Sequence, residues 1–265
     1  MIGAGGRRLR IGQWHAPATP PALAGAEERA RPLVILGGIG MNCEMLEPLA
    51  ALMPDKHVIS FDMPGIGGSP DPIFPYTIAQ MALTLAAMLD QLKIDAVDLL
   101  GISWGGAVVQ QFAFQHRARS GKLVLASTSA GGTMIPGDAS LLSHLLDPTE
   151  YTTQKSLRRN LASLYNGGGK EQVSLNAATA PSPYGWTCQL AAFASWSSIP
   201  FLPLIAVPTL VLADEDDHLI PVANGKLMHN LISGSMMDIS HGGGHLFMLS
   251  DPEAFTEKLT EFLQG

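Results

Sequence analysis

Apolar and polar positions along this chain follow two rhythms. Short, largely apolar runs at 33–36, 57–61, 97–100, 123–125, 209–212 and 235–239 are each closed by glycine, proline or polar residues. They are too short for buried helices and suit strands covered on both faces. Between them, apolar residues recur at helical spacing over 44–52, 78–92, 107–116, 222–230 and 253–262. Residues 7–16 predict an opening strand, and the Pro/Ala/Gly-rich stretch 17–31 predicts a loop. Strands alternating with helices imply a mostly parallel sheet with right-handed crossovers and helices on both faces, an α/β fold. Ligands of such sheets bind beyond the C-terminal strand ends, so chemistry is expected just after each apolar run.

The rhythm breaks over 135–200, where no strand is evident. Helices are predicted at 141–146 and 154–164, followed by a glycine loop at 167–169. Tyr184, Trp186, Phe193 and Trp196 cluster toward the end of the stretch. An insertion of this size between two strands reads as a cap. The expected division is therefore a core of 1–134 and 201–265 with a cap of 135–200. Its aromatics, Trp186, Phe193 and Trp196, together with Met41, are candidate lining for an apolar substrate.

Composition narrows the function. The chain has 265 residues, 46% hydrophobic and only 15% charged, enough apolar material for a large core. A net charge of −7, with no basic run to offset it, excludes nucleic acid as an expected partner. Two cysteines, Cys43 and Cys188, are too few for a disulfide scaffold and read as reduced thiols. Arg7, Arg8 and Arg10 are not followed by an apolar stretch, so neither a leader peptide nor a membrane span is expected, and a cytoplasmic protein is.

The chemistry centres on Gly101-Ile102-Ser103-Trp104-Gly105, the sole GxSxG of the chain. It lies between a predicted strand and a predicted helix, the setting in which a sharp turn thrusts a serine hydroxyl out as a nucleophile. A serine hydroxyl needs a base, and the base needs an acid to hold its tautomer. His245, in Gly242-Gly243-Gly244-His245 beyond the last strand, is the candidate base, with His241 as its rival. The acid is expected after the run ending at Leu212, where Asp214, Glu215, Asp216 and Asp217 stand in a row. Asp217, just before the turn into the next helix, is preferred, with Asp216 second. Oxyanion donors are expected from the Trp104 N–H and from the turn Gly37-Gly38-Ile39-Gly40-Met41, where Ile39 is preferred and Met41 is the alternative.

Taken together, Asp62-Met63-Pro64-Gly65-Ile66-Gly67-Gly68-Ser69, the serine turn, residues 212–221 and Gly244-His245 resemble the α/β-hydrolases over most of the chain. More narrowly, Gly38-Ile39-Gly40, Ser103-Trp104-Gly105-Gly106-Ala107, Gln110-Gln111-Phe112-Ala113, Gln189-Leu190-Ala191-Ala192-Phe193, Trp196-Ser197-Ser198-Ile199 and Gly244-His245-Leu246-Phe247 resemble the intracellular medium-chain-length polyhydroxyalkanoate depolymerases. The resemblance implies hydrolysis of 3-hydroxyacyl esters at a storage-granule surface, with no metal and no organic cofactor. One position departs from it: Asp214 stands where a glycine is usual. A general carboxylesterase, a lactonase or a carbon–carbon bond hydrolase of the same fold remains open, as does a receptor that uses the hydrolase pocket for binding alone.

Overall fold

The computed structural model describes residues 1–15, 31–162 and 172–265. Most of the 17–31 loop and the 167–169 glycine loop lie outside the described residues. Strands β1 (Ile2–Ala4) and β2 (Arg7–Leu9) form an antiparallel hairpin. Seven strands then build the main sheet: β3 (Ile11–Trp14), β4 (Leu33–Leu36), β5 (Val58–Phe61), β6 (Val97–Ile102), β7 (Ser120–Ala126), β8 (Thr209–Asp214) and β9 (Met236–Ser240). Their spatial order is β3-β5-β4-β6-β7-β8-β9. Only β3 runs antiparallel to its neighbour; every other pair is parallel.

The expected single strand over 7–16 is broken at Arg10. Its backbone N–H donates to Ser69 Oγ and its guanidinium reaches the buried Asp62, so the two halves pair with different partners. The helices are α1 (Glu47–Ala51), α2 (Ile78–Leu92), α3 (Trp104–Gln115), α4 (Ala139–Leu146), α5 (Gln154–Ala162), α6 (Gln172–Ala177), α7 (Pro183–Ala194), α8 (Val222–Leu231), α9 (Phe247–Ser250) and α10 (Pro252–Gln264). A 3₁₀ turn, Cys43–Leu46, precedes α1 and takes the first half of the helix expected there. Helix α2 begins at the predicted residue because Thr77 and Gln80 close a reciprocal capping box.

The sheet carries a core on each face, and strand alternation decides which residues go where. Val34, Leu36, Leu99 and Val211 pack toward α2, α3 and α8. Leu33, Ile35, Leu100 and Leu212 face the other way, toward α1 and α10. Strands β4, β5, β6 and β8 are buried at every residue, whereas edge strand β9 is only partly so. Between β7 and β8 the described chain runs through α4–α7, and an isolated antiparallel bridge between Gly131 and Ser197 ties the start of this segment to its later part. Helix α7 was not foreseen: it carries Tyr184, Trp186 and Phe193 and is capped by Ser182, whose Oγ accepts the Gly185 N–H. Among the described residues, no helix is long and apolar enough to cross a membrane.

Candidate active site

Four loops meet beyond the C-terminal strand ends. Ser103 directly follows β6 and precedes α3, and its backbone sits at φ 51° and ψ −117°, a conformation costly for any residue with a side chain. The surroundings enforce it. Its N–H donates to Ala126 O at 2.9 Å, and its carbonyl accepts the Gly106 N–H at 2.9 Å and the Thr128 hydroxyl at 2.6 Å. The strand and helix can close on each other because a Cβ at Gly101 would fall 2.5 Å from the Gly106 Cα. The serine hydroxyl is thereby left at the head of α3, whose first-turn N–H groups have no partner within the helix.

The loop after β9 carries His245, with its side chain 4% exposed. His245 Nε2 lies 3.0 Å from Ser103 Oγ, and Nδ1 lies 2.9 Å from Asp217 Oδ2. The other oxygen of Asp217 accepts the N–H groups of Leu219 (3.0 Å) and Ile220 (2.8 Å), which fixes the carboxylate's direction. The rivals stand elsewhere. His241 is exposed and pairs with Glu215, and Asp216 accepts the Gly242 N–H at 2.7 Å.

Asp214, the first of the four acids in a row, is fully buried. Its carboxylate accepts N–H groups from Asp216 (2.9 Å), Gly243 (3.1 Å) and Gly244 (3.2 Å). The N–H groups of Gly242, Gly243 and Gly244, just ahead of His245, are therefore all held by carboxylates of the acidic stretch. The sequence signal that could have found this was the glycine run itself: amides without side chains invite an oxygen acceptor nearby.

The turn after β4 brings Gly38, Ile39 and Met41 to the same cavity as Ser103 and His245. Within 38–41, Gly38 N–H donates to Met41 Sδ, Gly40 N–H to Gln189 Oε1 and Met41 N–H to Gly38 O. Among the described residues, Ile39 N–H alone in this turn has no acceptor.

The cavity measures about 210 Å³, and its walls are apolar apart from the reacting groups; Ile39, Met41, Leu142, Tyr151, Trp186 and Phe193 contribute to them. Trp186 is fully buried and stacks on Tyr151 with ring centroids 4.2 Å apart. Burial pushes the Tyr151 hydroxyl up to about 12, so it stays neutral across ordinary assay conditions. Trp196 corrects the sequence expectation. It lies outside the cavity lining, because its Nε1 donates to Gln111 Oε1 on α3 at 2.6 Å and its ring tilts against Phe201. Both thiols, Cys43 and Cys188, are buried and unpaired; desolvation, with Asp62 adding to it at Cys43, holds both above the usual thiol range. Among the described residues, no group of three or more His, Cys, Asp or Glu is gathered as a metal site.

This arrangement of strands and loops matches a family model described as alpha/beta hydrolase fold over residues 31–252. The chain belongs to the α/β-hydrolase family. Among its α/β-hydrolase relatives, a poly(3-hydroxyalkanoate) depolymerase of Ectopseudomonas oleovorans is 40% identical over 239 residues, 88% of this chain and 84% of that protein. A 3-oxoadipate enol-lactonase of Acinetobacter baylyi is 27% identical over 232 residues, 84% and 85% of the two chains. An esterase from Exiguobacterium antarcticum superposes with a TM-score of 0.83 at 22% identity, over 100% of this chain and 98% of that one, and shares the α/β-hydrolase fold.

Proposed function

We propose that this α/β-hydrolase cleaves carboxylic esters with Ser103 as nucleophile, His245 as general base and acid, and Asp217 as the group that orients His245. The substrates are 3-hydroxyacyl esters, after the poly(3-hydroxyalkanoate) in the name of its depolymerase relative, with medium-length acyl chains to suit the apolar cavity. The observation that carries the reading is the continuous contact from Asp217 through His245 to Ser103, opening into an apolar cavity.

His245 Nε2 takes the Ser103 proton as Oγ attacks the ester carbonyl, and the carbonyl oxygen becomes an oxyanion. The backbone N–H groups of Trp104 and Ile39 receive that charge; Ile39 is favoured over Met41 because the Met41 N–H is already donated to Gly38 O at 3.1 Å. The intermediate collapses, the alcohol leaves with the proton from His245, and the acyl group stays on Ser103. Water then gives a proton to His245, attacks the acyl-enzyme and releases the acid, and the proton returns to Ser103. Residues 135–200 serve as the cap that supplies much of the acyl wall, through α4 and α7. Granule polyester in the cytoplasm is the setting that this substrate class implies.

A cavity of about 210 Å³ holds about seven water volumes at ~30 Å³ each, room for a medium acyl chain. Each buried methylene contributes about 0.8 kcal/mol. Extending a simple ester from butyryl to octanoyl should therefore raise kcat/KM on the order of 10²-fold, and medium-chain 3-hydroxyacyl oligomers should outrun short esters. Ser103→Ala should lower kcat by roughly 10⁶. A variant that keeps most of the rate, or a wild-type serine that no fluorophosphonate labels, would overturn the reading and leave a binding protein in its place.

A further inference from the structure

One polar side chain in the middle of α7 has no place in the reaction above. Gln189 is fully buried on a helix whose Trp186, Leu190 and Phe193 line the acyl cavity. Its side-chain Oε1 accepts the Gly40 N–H at 2.9 Å, and its backbone carbonyl accepts the Trp104 indole N–H at 2.8 Å. The same residue therefore holds the turn that carries Ile39 and the residue that follows the nucleophile. Among the described residues its Nε2 has no partner. Burying a donor without an acceptor is unfavourable, so this amide is a poor choice for filling space.

The grip is reinforced from both ends. Gly40 has φ 71°, and a Cβ there would lie 2.5 Å from the Trp186 ring, so turn and helix are in direct contact. At its start α7 is fixed to the core: Ser182 N–H donates to Gly65 O, and Ser182 Oγ bonds Asp71. A helix fixed in this way offers a rigid reference against which a glycine turn can be held.

We propose that Gln189 is a positioning residue: by tying Gly40 and Trp104 to α7, it aligns the two oxyanion donors and links filling of the acyl cavity to their geometry. The proposal rests on the catalytic reading above and deepens it. Gly40 is held in the left-handed region, and its neighbour Ile39 is aimed by the same peptide units. With the Oε1 acceptor removed, the turn relaxes and the Ile39 N–H drifts from the oxyanion. Misplacement by about 1 Å can cost on the order of 10² in rate. The loss falls on the transition state rather than on ground-state binding.

The test uses the full chain with Gln189→Met, which keeps the side-chain length, replaces the amide oxygen by a weakly accepting thioether and removes the unpaired Nε2. Rates are taken per Ser103 labelled by a fluorophosphonate, on a medium-chain chromogenic ester. The expected result is kcat lowered by about 10- to 100-fold with KM within about twofold. Exchange of the Gly40 amide, followed by NMR, should speed up by about tenfold or more. Gln189→Glu, which retains an oxygen acceptor, should recover to within about fivefold of wild type. Leu190→Ala, which trims the cavity wall, should instead raise KM. Unchanged Gly40 exchange, a rise in KM at constant kcat, or Gln189→Glu as slow as Gln189→Met would overturn the proposal. A Ser103→Ala variant as active as wild type would bring down the catalytic reading and this proposal with it, a result distinguishable from those outcomes by the Ser103→Ala rate alone.

Discussion

Replacing Asp214 by alanine removes the acceptor of three backbone amides at once, those of Asp216, Gly243 and Gly244, at 2.9, 3.1 and 3.2 Å. Hydrogen bonds to a charged group contribute about 1.5–3 kcal/mol each, and the two longer ones belong at the low end. Water can rescue the amide of the half-exposed Asp216 more readily than that of the buried Gly244. The net loss is therefore roughly 3–4 kcal/mol. At ~2–4 °C per kcal/mol for a domain of this size, Tm should fall by about 6–16 °C. The loop end next to these amides is His245, so the activity of the molecules still folded should drop as well, by about tenfold or more, as Nε2 leaves its 3.0 Å position at Ser103. Thermal unfolding gives the first quantity, and kcat per fluorophosphonate-labelled serine gives the second. Asp214→Asn, which retains one oxygen acceptor, should fall between. A Tm within 2 °C of wild type, to order of magnitude no loss, would refute the hydrogen-bond accounting. A large Tm loss with unchanged kcat would refute the claim that this carboxylate holds the histidine in place.

Asp217→Asn should leave the fold intact, since its oxygen can still cap the Leu219 and Ile220 amides, yet lower kcat by about 10⁴ by disfavouring the working tautomer of His245. Retention of more than a tenth of the rate, as an order of magnitude, would exclude the role. His57 and His116 should make the protein weaken in acid. Burial lowers both below the ordinary histidine value, with Arg119 adding to the effect at His116. The unfolded chain therefore binds more protons just below pH ~6.5, and stability present above that pH is lost as pH falls toward the lowered folded values. Denaturant midpoints between pH ~5 and ~7 should fall less steeply for His57→Gln/His116→Gln, and an unchanged slope would exclude both as the source.

Strand and helix order, the serine turn and the position of the histidine loop were legible from the chain because each rests on a local rule. A short apolar run bounded by glycine, proline or polar residues marks a strand locally, and Thr77 with Gln80 announces the start of α2 within one turn. The glycines on either side of Ser103 mark its turn in the sequence, although Ala126 and Thr128 help to hold its backbone in place. Contacts between residues far apart in sequence carried no such mark. The direction of Asp214 depends on a loop some thirty residues away, as |i−j| of 29 and 30 to Gly243 and Gly244 shows. Gln189 acts on a turn at |i−j| of 149, and nothing near position 189 says so. Trp196 looked like its aromatic neighbours until the packed chain gave its indole N–H a partner on α3. Local backbone preference decides which elements form and where their ends lie. Which buried polar atom meets which is decided only when the sheet has closed and such groups are brought within reach of one another.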